Sequence, residues 1–340
     1  MRKPTRKREV GRGERVLPGV WRLRLPLPWP GVPHCNAWAL AAGDGIVLVD
    51  TGMHEPGSMA NLERALDQAG LRVEDVRLLV CTHAHVDHCG EAPQIRERAG
   101  CEVWMHPARG HLLAGGDTRR TSSAGTSDLE QALARRAEVA RQSGVPEAPL
   151  RRWAEQRRAT GSGMAGELVV DRDLLSGDTV TSDLGDWEVI ETPGHAPSHV
   201  CLHQPERRLL ISGDHLLGRV SLYFDHGHTP DPVGEFLRSL DAVEGLDARL
   251  ALAGHGRSFT DVRGHVDANR ALVAERLDAV RAALGEGDAT AFELTRRINA
   301  ETFDGDSASH LLAQTLSWLG HHELRGEARR HAGEPELWSA

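Results

Sequence analysis

Lysine is almost absent from this chain of 340 residues. The only two, Lys3 and Lys7, lie among the first fifteen residues, which hold seven basic and two acidic side chains. The formal net charge of the whole chain is −9, which disfavours nonspecific adhesion to nucleic acids or membranes by the body of the protein. We predict that residues 1–16 form a basic, disordered tail.

Long apolar segments are also missing. No apolar run approaches 18 residues, so the sequence offers no membrane-spanning helix. The basic N-terminus is not followed by the apolar stretch of a secretory signal, which favours a cytoplasmic protein. No CxxC pair suggests a structural zinc site, and the odd number of scattered cysteines indicates buried free thiols and not disulfides. These cysteines are Cys35, Cys81, Cys89, Cys101 and Cys201.

Histidine, in contrast, is abundant, with nineteen in the chain, and several of them fall in the motif THAHVDH at 82–88. The apolar run Val76–Val80 precedes the motif and a helix-like segment follows Gly90, so the motif should occupy the loop at the end of a buried strand. A polar surface loop is the alternative, but a chance arrangement of these histidines would rarely produce H-x-H-x-D-H. The spacing therefore favours a binding site.

The spacing within this motif separates its polar side chains into two pairs. In strand-like geometry His83 and His85 point to one side, while the turn through Val86 carries Asp87 and His88 to a second position. Neutral imidazoles and a carboxylate suit zinc, iron or manganese. We therefore expect two neighbouring clusters of metal ligands.

Three later strands end in a glycine beside a histidine or an aspartate, at Gly194-His195, Gly213-Asp214 and Gly254-His255. Glycine lets the backbone pack tightly around a site, and an aspartate at a buried strand end is costly unless it is paired or metal-bound. Each pair alone is typical of a turn. Their recurrence in a chain that already contains THAHVDH predicts a dinuclear metal site.

The arrangement of strands and helices predicts a layered α/β protein. Asp50 follows the apolar strand Ile46–Val49, where it could be a turn or helix N-cap residue or an acceptor that orients a ligand imidazole. Residues 107–166 form an Arg- and Ala-rich helical insertion with ten Arg against six Asp plus Glu. This insertion is either a solvated helical face or a lid that offers guanidinium groups to an anionic substrate.

Together these motifs resemble the metallo-beta-lactamase-fold hydrolases over roughly residues 17–262. The motifs occur in the order of that family: LVDTG at 48–52, THAHVDH at 82–88, TPGH at 192–195, SGD at 212–214 and GHG at 254–256. The resemblance implies an α/β fold of the αββα sandwich type. A histidine at position 85, where the related flavodiiron proteins carry a glutamate, favours hydrolysis over oxygen chemistry.

The resemblance also implies which residues bind two divalent ions, zinc by preference, with iron or manganese as alternatives. The expected ligands are His83, His85 and His195 for one ion, Asp87, His88 and His255 for the other, and Asp214 as a bridge. Further candidates for orienting a ligand or lining the pocket are Asp50, Asn36, His199 and Tyr223. The resemblance gives His215, His226 and His228 no ligand role.

The last part of the chain, 263–340, is predicted to form helices at 269–284, 291–299 and 308–319, followed by a polar hairpin at 320–327. This pattern resembles the small winged-helix domain of a subgroup of the family, some of whose members cleave RNA. Residues 263–340 hold nine Arg and thirteen Asp plus Glu, and a nucleic-acid-binding face needs the opposite balance. We expect this region to pack against the catalytic domain or a second subunit and not to bind duplex DNA.

Two ions that share Asp214 and a water would lower the pKa of that water toward neutrality. Asp87 is the expected catalytic residue, because its carboxylate can orient the hydroxide and accept its proton. Cys89, beside His88, is expected to be inert. No serine or cysteine nucleophile is required.

These expectations favour hydrolysis of an ester, thioester or lactone of a small anionic metabolite. The glutathione thioesterases of the fold fit less well, because they hold their substrate with lysines. An RNA-cleaving phosphodiesterase is the first alternative. A mononuclear-iron enzyme of the persulfide-dioxygenase kind and a non-enzymatic binding module are the others. A homo-oligomer is compatible with the sequence.

Overall fold

The computed structural model of the protein describes residues 10–29, 31–113, 126–160, 162–301, 303 and 308–340. Its larger sheet has seven strands in sequential order. The first four strands are antiparallel and the last four are parallel. These strands are β1 (Arg12–Leu17), β2 (Val20–Pro26), β3 (His34–Ala42), β4 (Gly45–Val49), β5 (Val76–Cys81), β6 (Glu102–Met105) and β7 (Arg172–Asp173).

A second sheet of five strands has the order β12-β11-β10-β9-β8. Its strands are β8 (Thr179–Ser182), β9 (Gly185–Glu191), β10 (Val200–Gln204), β11 (Leu209–Gly213) and β12 (Leu250–Ala253). Within this sheet β11 and β12 pair in parallel, and the other neighbours are antiparallel. A separate two-stranded hairpin, β13 (Arg329–His331) and β14 (Leu337–Ser339), lies near the end of the chain.

The α-helices of the described residues lie between these strands, singly or in runs of two or three. They are α1 (Ser58–Gln68), α2 (Val86–Cys89), α3 (Ala92–Ala99), α4 (Thr126–Gln142), α5 (Glu147–Thr160), α6 (Pro232–Glu244), α7 (Val262–Gly285), α8 (Ala291–Ile298) and α9 (Ala308–Leu324). Across the described ranges, none of the helices combines the length and the apolar character needed to cross a membrane.

Three apolar clusters hold these elements together. The first, which includes Trp38 and Trp187, lies between the two sheets. The second packs α1 and α3 against the outer face of the larger sheet. The third packs α6 and α7 against the outer face of the smaller one. The layers therefore follow the order helix, sheet, sheet, helix, which confirms the αββα expectation.

The predicted disordered tail was extended too far. Arg12–Leu17 form β1, which pairs with β2. The backbone N–H of Gly11 donates to Asn61 Oδ1 at 2.9 Å, and that of Gly13 donates to Gln68 Oε1 at 3.1 Å. Main-chain and side-chain hydrogen bonds thus order a segment whose charged composition indicated disorder. Residues 1–9 lie outside the described part of the chain.

The predicted hairpin at 320–327 is also wrong, because α9 continues through Gly320 to Leu324. His321 and His322 are buried in this last part of the helix, and His321 Nδ1 lies 2.8 Å from Asp231 Oδ1. In the described part of this region, three helices are followed by the β13–β14 hairpin, and its winged-helix character stays a prediction. The ring of Trp318 lies 5.0 Å from that of Phe224, so the region packs against the part of the chain that carries the two sheets.

The helical insertion joins the same assembly. The backbone N–H of Phe292 donates to the carbonyl of Ser143 at 2.9 Å, and that of Glu336 donates to the carbonyl of Gln142 at 2.8 Å. The insertion is thus tied to α8 and to the segment before β14. Residues 114–125 and 161, which belong to the predicted lid, lie outside the described residues.

Candidate metal centre

The ends of four strands bring the predicted ligands to one edge of the sandwich. The loop after β5 supplies His83 and His85, and the short helix α2 supplies Asp87 and His88. The other three predicted ligands follow β9, β11 and β12, and they are His195, Asp214 and His255. All seven side chains are close together in the structure.

The histidine cluster consists of His83, His85 and His195. His83 Nε2 lies 3.0 Å from His85 Nδ1, and His195 Nε2 lies 3.1 Å from that same Nδ1 atom. The His83 ring is fully buried. Three imidazole nitrogens therefore converge on one point.

The mixed cluster consists of Asp87, His88 and His255. His255 Nε2 lies 3.2 Å from Asp87 Oδ2 and 3.3 Å from His88 Nε2. Asp214 lies between the clusters, with Oδ2 at 3.1 Å from His255 Nε2 and 3.7 Å from His195 Nε2. This is the position that a bridging carboxylate requires.

The outer nitrogens of these five imidazoles have partners that fix the tautomers. His88 Nδ1 donates to Asp50 Oδ2 and His85 Nε2 donates to Asp225 Oδ2, both at 2.8 Å. His255 and His195 donate through Nδ1 to backbone carbonyls at 2.9 and 3.1 Å. A neutral imidazole carries one N–H, so its opposite nitrogen must present a lone pair.

His83 follows the same rule through a hydroxyl group. Thr82 Oγ1 donates to Asp50, so it accepts from His83 Nδ1 at 3.0 Å. In the neutral form that binds a metal, all five imidazoles thus direct a lone pair inward, and the neighbouring ring nitrogens are 3.0 to 3.3 Å apart, where lone pairs repel. Asp214 Oδ1 is buried without a hydrogen-bond partner. This set of donor atoms fits a cation. Zinc in proteins is bound by imidazole and carboxylate ligands of this kind.

The electrostatics of the mixed cluster favour positive charge. Burial lowers the pKa of His255, but Asp214 and Asp87 outweigh burial and raise that pKa to about 10. Burial disfavours the ionised form of Asp87, yet His88 and His255 lower its pKa to about 2. The pKa of His195, in the histidine cluster, falls to about 4 through burial and the neighbouring His85. The carboxylates therefore give the mixed cluster its affinity for cations.

Asp50 contacts both clusters. Besides His88, its carboxylate accepts from the backbone N–H of Thr82 at 2.8 Å and from the Thr82 hydroxyl that supports His83. Its φ of +64° makes it a turn residue, a conformation that Asp and Asn adopt more readily than most residues. Of the interpretations left open by the sequence, Asp50 occupies a turn position and accepts a hydrogen bond from the His88 imidazole. The following helix α1 has Gly57 as its N-cap, so Asp50 is not a helix N-cap.

The other predicted pocket residues have different surroundings. Asn36 is buried and donates through Nδ2 to the carbonyls of Ala253 and Gly256, so it supports the loop that carries His255. His199 Nε2 accepts from the backbone N–H of Asp214 at 3.0 Å. Tyr223 has its ring toward the centre, 5.6 Å from the ring of His195 and 5.9 Å from that of His85.

The sequence did not reveal Asp225, which supports His85. Asp225 Oδ2 also lies 3.0 Å from His111 Nδ1, and His111 Nε2 lies 2.8 Å from Ser198 Oγ, which accepts from the backbone N–H of Ala84. Burial disfavours ionisation of Asp225, but His85 and His111 hold its pKa well below the usual range. The one available signal was its place in the His-rich run YFDHGH at 223–228.

The remaining candidates lie outside the predicted ligand set. All five cysteines are buried and free, as predicted. Burial and the nearby carboxylates raise the pKa of Cys89 well above its usual range, so it is a poor nucleophile. His215 is buried with its ring 4.9 Å from that of Phe236, and the ring of His228 lies 5.7 Å from that of His111.

Comparison with known proteins identifies the family of the chain. A sequence model of the metallo-beta-lactamase superfamily matches residues 30–255. A probable metallo-hydrolase of Bacillus subtilis, YqjP, is 23% identical over 305 residues, which cover 86% of this chain and 91% of that protein. The acyl-coenzyme A thioesterase MBLAC2 of Bos taurus is 27% identical over 238 residues, 66% of this chain and 74% of that protein.

A solved structure shares the fold over almost the whole chain. The metallo-beta-lactamase family protein TTHA1429 from Thermus thermophilus superposes with a TM-score of 0.79 at 28% identity. The match covers 96% of this chain and 99% of that chain. The chain belongs to the metallo-beta-lactamase superfamily, and its enzymatic class is that of the hydrolases of this superfamily.

Proposed function

We propose that the protein is a dinuclear metal-dependent hydrolase whose substrate is a thioester, ester or lactone of a small anionic metabolite, with a thioester as the first choice. The observation that carries the proposal is the set of five inward-facing imidazole lone pairs grouped around Asp87 and Asp214. The two ions are proposed to be zinc, with His83, His85 and His195 as ligands of one, Asp87, His88 and His255 as ligands of the other, and Asp214 shared.

Two such ions would polarise the substrate carbonyl and make water nucleophilic at neutral pH. Asp87, with its low pKa, stays ionised and can hold the attacking water and accept its proton at Oδ1 or Oδ2. In thioester hydrolysis the water oxygen bonds to the carbonyl carbon and the C–S bond breaks. The proton accepted by Asp87 passes to the sulfur, which leaves as a thiol, and the second proton of the water is released to solvent. The other product is a carboxylate.

Two observations support an anionic thioester. The Bos taurus relative is named an acyl-coenzyme A thioesterase. Arg135 and Arg136 on α4 are exposed and form no ion pair with the described residues. Burial lowers the pKa of His228, and these two guanidinium groups lower it further, so they lie within electrostatic reach of the loop that carries Tyr223. Cations placed there would attract an anionic substrate to the centre.

The test combines metal analysis with a substrate screen on the full chain. We expect two zinc ions per chain and hydrolysis of acyl-coenzyme A thioesters that stops with a chelator and returns with zinc. The screen also contains lactone, phosphodiester and β-lactam substrates. One iron per chain, or cleavage of RNA phosphodiesters without thioester hydrolysis, would contradict the proposal.

A further inference from the structure

A cavity of about 270 Å³ lies outside the metal centre, between the loop at 220–222 and helices α7, α8 and α9. Its innermost walls are Leu222 and Trp318, which are 8% and 3% exposed. Half-buried Leu272, Ile298 and Leu311 form the sides. Polar side chains also contribute to the lining, among them those of Ser221, Asn299, Gln314 and Thr315. The apolar part of this surface favours an aliphatic group, because the transfer of such a group out of water is favourable.

Arg276 of α7 brings a guanidinium group to this cavity. Other arginines of the same helix are paired: Arg270 Nη2 lies 2.6 Å from Asp241 and from Glu244, and Arg281 contacts Asp278 and Glu327. Arg276 forms no ion pair with any residue within the described ranges. A guanidinium beside apolar walls and without a counter-charge is suited to bind a carboxylate.

The cavity adjoins the metal centre through two stacked rings. His310 of α9 lines the cavity, and its ring lies 4.6 Å from the ring of Tyr223 at an interplanar angle of 12°. The Tyr223 ring also contacts the rings of His85 and His195. These two rings therefore join the wall of the cavity to the metal centre.

We propose that this cavity binds the non-reacting end of the substrate, an aliphatic acyl chain that carries a terminal carboxylate, with the carboxylate on Arg276. An apolar cavity of about 150 Å³ binds benzene, so a volume near 270 Å³ can hold a chain of roughly ten non-hydrogen atoms. The assignment deepens the proposed function and rests on it for the reaction, whereas binding in the cavity does not depend on catalysis.

The test is calorimetric titration of the full chain with octanoate, which supplies an aliphatic chain and one carboxylate. We expect saturable binding, weakened about tenfold or more in Arg276→Met, because a charge-assisted hydrogen bond is lost while the apolar stem remains. Leu311→Trp, which fills the cavity, should abolish binding. Arg263→Met, on the same helix but with an 80% exposed side chain, is the matched control and should bind as the wild type does.

Asp214→Ala separates the cavity from the metal centre and from the proposed function. Octanoate should bind to this variant as tightly as to the wild type, although hydrolysis is lost. Binding that disappears in Asp214→Ala and persists in Arg276→Met would place the probe on the metal centre and overturn the cavity proposal. Equal affinity of Arg276→Met, Leu311→Trp and wild type would overturn it as well. Thioester hydrolysis that fails while octanoate binding follows the expected pattern would reject only the proposed function.

Discussion

The histidine cluster and the mixed cluster both take ligands from the segment that follows β5, but they attract a cation in different ways. In the histidine cluster burial lowers the pKa of His83 and His195, and Asp214 is the carboxylate that approaches the inward-facing nitrogen of His195. The mixed cluster has Asp87 in addition, and its carboxylates raise the pKa of His88 and His255. The comparison teaches that the histidine cluster has Asp214 on its inner side and Asp225 on the outer side of His85, whereas the mixed cluster has both Asp87 and Asp214 among its inward-facing groups.

Replacing Asp214 should therefore have the largest effect. In Asp214→Ala we expect metal-dependent turnover to vanish and the metal content to fall at both positions, most of all in the histidine cluster, which keeps no other carboxylate among its proposed ligands. Elemental analysis of the purified variant measures the content. If the variant retains the metal content of the wild type, Asp214 is not a shared ligand.

Replacing His255 should affect one cluster only. His255→Ala leaves His83, His85, His195 and Asp214 in place, so we expect the metal content to fall from two ions per chain to about one. His331, an exposed histidine of β13, gives the matched control His331→Ala. Loss of both ions from the His255 variant, with the control unchanged, would show that the clusters do not fill independently.

The two carboxylates that orient predicted ligands should give smaller effects. Among the proposed ligands, Asp225→Asn removes the ionised acceptor from His85 only, whereas Asp50→Asn weakens the support of His88 and, through Thr82, of His83. Loss of such partners typically costs 10- to 100-fold in metal affinity or activity. We expect the Asp50 variant to lose affinity at both positions and the Asp225 variant at one, as measured by competition with a chelator.

Asn at position 50 retains the tolerance for positive φ, so a fold defect should not obscure this result. Circular dichroism and thermal unfolding of both variants provide the check. If both variants lost metal affinity equally at both clusters, Asp50 and Asp225 would not differ in the ligands that they support.

The smallest expected effect concerns the stability of the fold at acid pH and involves His226, which belongs to neither cluster. Burial lowers the pKa of His226 to about 4, below the ordinary value of 6.5. Below pH 6.5 the unfolded chain binds a proton that the folded chain does not, so stability present at pH 7 is lost as the pH falls toward 4. Between about pH 7 and pH 4.5, the free energy of unfolding of His226→Gln, measured with urea, should fall by on the order of 1 kcal/mol less than that of the wild type. An identical fall in the free energy of unfolding of variant and wild type would show that other titratable groups determine the acid stability.

The sequence predicted which side chains meet at the centre because each of them belongs to a short motif at the end of a strand. THAHVDH supplies four of them from one loop, and a glycine precedes each of the other three. The groups that orient these side chains come from distant parts of the chain, as with Asp225, which is 140 residues from His85. No local pattern predicts such a contact. The end of α9 was missed for a related reason, since burial of His321 and His322 overrides the helix-breaking tendency of Gly320.

The apolar cluster shared by α6, α7 and α9 has a consequence for dynamics. Leu240 of α6 lies in the same continuous core as Val266 of α7 and Leu319 of α9. Helices that share one core open together and not one at a time. In native-state hydrogen exchange, amides in the middle of α6, α7 and α9 should therefore exchange with a common free energy, as a single cooperative unit.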